Sequence, residues 1–171
     1  MEISSAVTKV AGNVRGIIFD VDGVLTDGRI IYTDDGHEHK HFNVQDGASI
    51  KLLQEYNIVV AIITGRRSPM VARRARELGI SFIEQGATSK ATALDKLIGA
   101  GFPSQGNAAV GDDLQDIEVF KHAAVDLAIS VPNAHPATLN SADIVTTRHG
   151  GDGVAVEIAQ LLLTAQGKWT F

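Results

Sequence analysis

The stretch Gly16-Ile17-Ile18-Phe19-Asp20-Val21-Asp22-Gly23 constrains this chain more than any other. An apolar run with β-branched and aromatic side chains meets two carboxylates two residues apart, and a glycine follows at once. Such a run reads as a strand buried on both faces, which belongs in a sheet covered by helices on either side. In an extended chain, positions two apart share a face, so Asp20 and Asp22 point the same way while Val21 turns into the core. Two carboxylates this close repel each other. Unless one takes a proton, a cation sits beside them, and all-oxygen ligands favour a hard ion such as Mg²⁺. Asp-x-Asp-Gly is also good turn chemistry, and on its own it would serve equally well simply to end a strand.

The rest of the chain repeats the alternation. Residues 29–33 and 39–43 flank the turn cluster Asp34-Asp35-Gly36, which predicts a hairpin over 29–43. Ile50, Leu53 and Tyr56 recur at helical spacing within 47–56, and 58–65 is a second apolar run ending in Thr64-Gly65. Ser68 and Pro69 suit an N-cap and first helical position for a helix that Gly79 ends after Leu78. Further strands are expected at 80–84, 108–111, 127–131 and 144–145, with helices at 89–98, 114–122 and 136–139. A closing helix at 153–165 turns Val154, Ile158, Leu161 and Leu162 inward. Strand and helix in alternation predict an α/β fold: a doubly wound, Rossmann-like parallel sheet with a hairpin inserted after the first strand, one domain over 1–171.

Composition narrows the chemistry. With no cysteine in 171 residues, disulfides, thiolate metal sites and a cysteine nucleophile are excluded, and a reducing compartment is compatible. A net charge of -5 and a pI near 5.6 offer no electrostatic footprint for nucleic acid or anionic lipid, which leaves a small molecule as the expected partner. Residues 1–12 lack a basic start followed by an apolar core, and no stretch has the length of a membrane span. A cytoplasmic protein is expected.

In doubly wound sheets, ligands bind outside the carboxyl ends of the strands. Here those ends carry Asp20 and Asp22, then Thr64 and Gly65, then the segment leading to Lys90, then Gly111-Asp112-Asp113. Phosphoryl transfer needs an in-line nucleophile, neutralised phosphate oxygens and a proton for the leaving alkoxide. Asp20 is the candidate nucleophile, giving an aspartyl-phosphate that water cleaves. Asp22 is the candidate general acid and base, with its backbone carbonyl left to meet the metal. Thr64 offers a hydroxyl and Gly65 an open amide to phosphate, Lys90 adds charge at a helix start, and Asp112 completes the metal's ligands with Asp113 and Asp116 in support. Each group also has a plainer use: Thr64-Gly65 as a turn, Lys90 as a solvated lysine, Gly111-Asp112-Asp113 as a helix cap.

The order of these groups resembles the four motifs of the haloacid dehalogenase-like superfamily. More narrowly, DVDGVLTDGRI, FNVQDG, ITGR, ARELGI and GDDLQD look like those of the capless phosphatases acting on 3-deoxy-D-manno-octulosonate 8-phosphate, a precursor of lipopolysaccharide. The resemblance implies Mg²⁺-dependent hydrolysis of that sugar-acid phosphate. It also implies substrate contacts from Asn43, Val44, Gln45, Asp46 and Gly47, from Arg66 and Arg74, and from Lys90. At residues 48–51 the family more often has a glycine and an arginine; here Lys51 keeps the charge without the bidentate grip. Related enzymes act on nine-carbon sialic-type acids and tend to carry an acidic residue after Thr-Gly, so Arg66 argues for the eight-carbon substrate. Neither gap between motifs is long enough for a separate cap domain. A neighbouring subunit would serve as lid, and the resemblance implies a homotetramer with the hairpins at its centre.

Other features have competing uses. His37, His39 and His41 share a strand face and suit zinc or an intersubunit surface. The run from Arg148 to Gly153 suits a phosphate contact or a turn into the last helix, and Trp169 and Phe171 suit docking or fraying. A signalling receiver module, the rival from another class, draws its acid pair and its phosphorylated aspartate from different strands, whereas Asp20 and Asp22 share one. A catalytically idle scaffold is the remaining alternative.

Overall fold

A computed structural model describes residues 3–36 and 38–171. His37, one of the three histidines expected on the hairpin, lies outside the described residues. The strand opened by the apolar run is β1 (Gly16–Phe19), every residue of it buried, and it lies at the middle of a six-stranded sheet. β4 (Val59–Thr64) and β5 (Phe82–Gln85) extend the sheet on one side of it; β6 (Asn107–Gly111), β7 (Val125–Ser130) and β8 (Ile144–Val145) extend the other. All of these pairings are parallel. The strand order therefore reverses at β1 and β6, which puts Asp20 at the crevice where such sheets bind ligands.

Helices cover both faces, as strands apolar on both faces require. One core joins Ile17 and Phe19 to α2 (Val44–Glu55), α3 (Pro69–Leu78) and α7 (Val154–Ala165); the other joins Ile18, Ala61 and Ile63 to α4 (Lys90–Gly99) and α5 (Asp116–Phe120). Alternate residues of β1 thus serve opposite cores. α7 is buried more widely than a one-faced helix, with Ala155, Ala159 and Leu163 buried beside the four expected residues. It packs against α2 and against α1 (Ser5–Ala11), a helix whose N-cap, Ser4, accepts from the Val7 amide. α6 (Pro136–Leu139) is a single turn opened by proline. No helix among the described residues is long and apolar enough to cross a membrane.

Among the boundaries that differ from those expected, three bear on the site. The hairpin ladder is only β2 (Ile31–Tyr32) with β3 (Glu38–His39), a separate antiparallel pair, and residues 40–43 leave it. α2 starts at Val44 rather than 47, because Asn43 Oδ1 accepts from the Gln45 amide at 2.8 Å and caps the helix early. α5 starts at Asp116 rather than 114, because the Asp116 carboxylate accepts from the amides of Asp112 and Asp113, both at 3.0 Å, and holds that turn open.

Candidate active site

Four strand ends converge on Asp20. Its amide donates to the Val110 carbonyl at 3.0 Å, which carries the β1–β6 ladder one residue past the strand and fixes the carboxylate at the crevice. Lys90, the first residue of α4, sends its Nζ to Asp20 Oδ1 at 2.8 Å and to Asp116 Oδ1 at 2.6 Å. The lysine is 4 % exposed, so the plainer use as a solvated side chain does not hold. Burial alone would lower its pKa, but Asp20 and Asp116 outweigh it and hold the ammonium well above its usual range. Burial pushes the Asp20 carboxyl up to about 7 against Lys90's opposing charge. Asp112 rises to about 8, through burial first and then the nearby charges of Asp20 and Asp116.

Ligand oxygens of Asp20, Asp112 and Asp116 lie within 4.8 Å of one another, and Asp112 Oδ1 is buried with no hydrogen-bond partner among the described residues. A buried, all-oxygen set with excess negative charge and an orphaned carboxylate oxygen fits a hard divalent cation. The glycine of Asp-x-Asp-Gly is required here: Gly23 has φ +100°, and a Cβ on it would stand 2.0 Å from Asp112 Oδ2.

The Asp22 carboxylate lies outside that acidic group. Lys40 Nζ bonds Asp22 Oδ1 and lies 2.8 Å from Glu38 Oε1, and Glu38 Oε2 in turn accepts from Arg66 Nη2 at 2.7 Å. Arg66 Nε stands 3.9 Å from Asp22 Oδ2. The hairpin therefore reaches the site of its own chain through Glu38 and Lys40. Neither residue was singled out in the sequence, although the alternation that puts His39 and His41 on one face puts Glu38 and Lys40 on the other. His39 and His41 are exposed and belong to no metal-binding group among the described residues.

Thr64 ends β4, buried, and its Oγ1 accepts from the Arg66 amide at 3.3 Å while Gly65 is exposed beside it. The expected substrate residues divide. Val44, Gln45 and Lys51 are exposed, and Val44 and Arg74 line a cleft of about 320 Å³ with Lys40, Phe42 and Met70. Arg74 Nη2 donates to the Asn43 carbonyl at 3.1 Å and crosses α2 at Gly47, where a Cβ would come within 2.3 Å of it. Asp46 is engaged inside the fold: its Oδ1 accepts from the Ala155 amide at 2.7 Å, at the start of α7.

Residues 77–158 match the model of a haloacid dehalogenase-like hydrolase family. The chain is 44% identical over 167 residues to 3-deoxy-D-manno-octulosonate 8-phosphate phosphatase of Salmonella typhi, covering 97% of this chain and 88% of that one. The chain belongs to the 3-deoxy-D-manno-octulosonate 8-phosphate phosphatase family. Solved structures agree. The Yersinia pestis phosphatase superposes with a TM-score of 0.92 at 41% identity, covering 97% of this chain and 89% of that one. The Moraxella catarrhalis phosphatase, solved in complex with magnesium ion, phosphate ion and KDO, gives 0.88 at 43% identity, covering 94% and 91%. A phosphatase family accounts for what a receiver module would not, namely two acids, Asp20 and Asp22, at the end of a single strand.

Proposed function

We propose that this chain hydrolyses 3-deoxy-D-manno-octulosonate 8-phosphate to the free sugar acid and inorganic phosphate, a step towards lipopolysaccharide, in the manner of its relatives. The observation that carries the mechanism is the buried Lys90–Asp20 pair at the tip of the central strand, 2.8 Å across, beside the acidic group that fits Mg²⁺. Asp20 attacks phosphorus, the ester oxygen leaves with a proton from Asp22, and the aspartyl-phosphate is hydrolysed by a water that Asp22 deprotonates. Lys90 and Thr64 hold the transferring phosphoryl oxygens. Asp20, Asp112 and the Asp22 carbonyl would hold the cation, which would supply positive charge against the phosphate oxygens. Asp116 orients Lys90 and the Asp112 turn. Arg66 and Arg74, with Lys51, Asn43, Val44 and Gln45, take the sugar acid, arginine being suited to a carboxylate.

The same reading makes residues 1–171 one catalytic domain without a cap, working in the cytoplasm as a homotetramer. Its support is the apolar hairpin surface, where Ile30 is 44%, Ile31 38% and Tyr32 69% exposed.

The test is phosphate release from a panel of eight- and nine-carbon sugar-acid phosphates with Mg²⁺. The eight-carbon ester should have the highest kcat/KM, and Asp20→Asn should lose activity by about a thousandfold or more while keeping its fold. Wild-type turnover in Asp20→Asn would remove Asp20 as nucleophile.

A further inference from the structure

The glycine run from Gly150 to Gly153 does not offer free amides to a phosphate. The Gly150 amide donates to Asn133 Oδ1 at 2.7 Å, and the Gly151 amide donates to the Val24 carbonyl at 2.9 Å. Asn133, on the loop after β7, spends its other end on the turn that carries Asp22: its Nδ2 donates to the Gly23 carbonyl at 2.9 Å. Two residues on, the His135 amide donates to the Asp112 carbonyl at 2.7 Å. Contact at this junction is close enough that a Cβ on Gly150 would lie 1.8 Å from the Gly23 oxygen. One carboxamide therefore joins two loops that are far apart in sequence, and its own loop also grips the backbone of Asp112.

From this geometry we propose that Asn133 is a positioning residue for the phosphatase reaction, clamping the Gly23 turn so that Asp22 meets the leaving group. It touches neither the phosphate nor the reacting atoms; it acts through the Gly23–Val24 peptide, one residue past Asp22. The glycine run is the other jaw of the clamp, held in place because Glu157 accepts from the Thr147 and Arg148 amides at 2.9 Å and 3.1 Å. The arrangement has a chemical signature. Asp22 is needed to protonate a poor leaving group such as a sugar alkoxide and is far less needed for a p-nitrophenolate, which departs unprotonated. With Mg²⁺ saturating for each variant, so that the Asp22 carbonyl's share in holding it does not limit the rate, misplacing the Asp22 carboxylate penalises the first ester selectively, whereas general loss of folded enzyme penalises both alike.

The proposal rests on the phosphatase reading, and the experiment separates the two. With Mg²⁺ present, kcat/KM, which reports on steps up to departure of the leaving group, is measured for wild type, Asn133→Ala and Asn133→Asp on 3-deoxy-D-manno-octulosonate 8-phosphate and on p-nitrophenyl phosphate. Asn133→Ala should fall by about tenfold or more on the sugar ester and stay within about twofold on the aryl ester. Asn133→Asp keeps an acceptor for the Gly150 amide but offers no donor to the Gly23 carbonyl, so it should fold as wild type and still show the selective loss on the sugar ester. Equal losses on both esters, or no loss on either, would overturn the proposal. A wild-type chain inactive on both would sink the phosphatase reading and the clamp together.

Discussion

Lys90 shows how one side chain makes an otherwise unfavourable site stable. Three carboxylates gather within 4.8 Å, and the 4 % exposed ammonium bonds two of them. Removing one partner of a buried ion pair costs about 3–5 kcal/mol, because a charge is left without compensation. Lys90→Met should therefore lower the melting temperature in chelator by roughly 10 °C in a chain of this size. A divalent cation among the same acids does part of the lysine's electrostatic work, so Mg²⁺ should raise the variant's melting temperature more than the wild type's. Thermal unfolding with and without Mg²⁺ measures both. A Lys90→Met chain as stable as wild type in chelator would mean that the carboxylates are not held together at the expense of stability. The variant should also lose most activity, since Lys90 is the cation that α4 brings to Asp20.

Between elements, the contact of α2 with α7 turns on Asp46. Burial pushes its carboxyl up to about 6 from the ordinary 3.8, against the lowering by bonds from the Ala155 and Gly153 amides. The native state thus holds a proton that the unfolded chain has released between those values, so the group's contribution falls as pH rises from about 4 to about 6 and stays low above. At about 1.4 kcal/mol per unit the cost reaches about 3 kcal/mol. Asp46→Asn keeps an acceptor for the Ala155 amide without the charge, so it should melt several degrees higher than wild type at pH 8 and no higher at pH 4. If the variant were less stable at pH 8, the carboxylate's attraction to the α7 N terminus would outweigh its burial. The same residue marks what was legible. Strand type was readable because apolar runs such as that of 58–65 can only be buried, and the positions of Asp20, Thr64, Lys90 and Asp112 around one crevice followed from strand ends; the order of strands in the sheet was not. Asp46 was expected to face substrate; nothing local reveals that its amide partners are Ala155 and Gly153, far along the chain. Asn133 escaped for the same reason, and the early start of α2 was decided by Asn43's side chain rather than by periodicity. α1 carries no strong apolar pattern of its own and is held by packing on α7.

At the scale of the whole molecule, the hairpin is an arm that cannot stand alone. Two paired residues on each strand make a ladder that is marginal in water, and the exposed Ile31 and Tyr32 lie on it with the exposed Ile30 just before them. Yet this arm delivers Lys40 to Asp22 and Glu38 to Arg66. If the apolar surface is covered by other copies in the proposed tetramer, assembly holds the hairpin still and so holds the acid–base pair in place. Ile31→Glu tests the link, because Ile31 pairs with His39 rather than with Glu38, and a carboxylate on each copy would meet its like at the shared surface. The variant should sediment as a smaller species and lose about tenfold or more in kcat/KM on the sugar ester. It should melt near the wild-type temperature, because Ile31 is outside both cores. Analytical ultracentrifugation and steady-state kinetics at matched concentration give the two readouts. A dissociated Ile31→Glu chain with wild-type kcat/KM would show that the hairpin keeps Lys40 on Asp22 without its neighbours, and a variant that stayed assembled would show that the copies meet elsewhere.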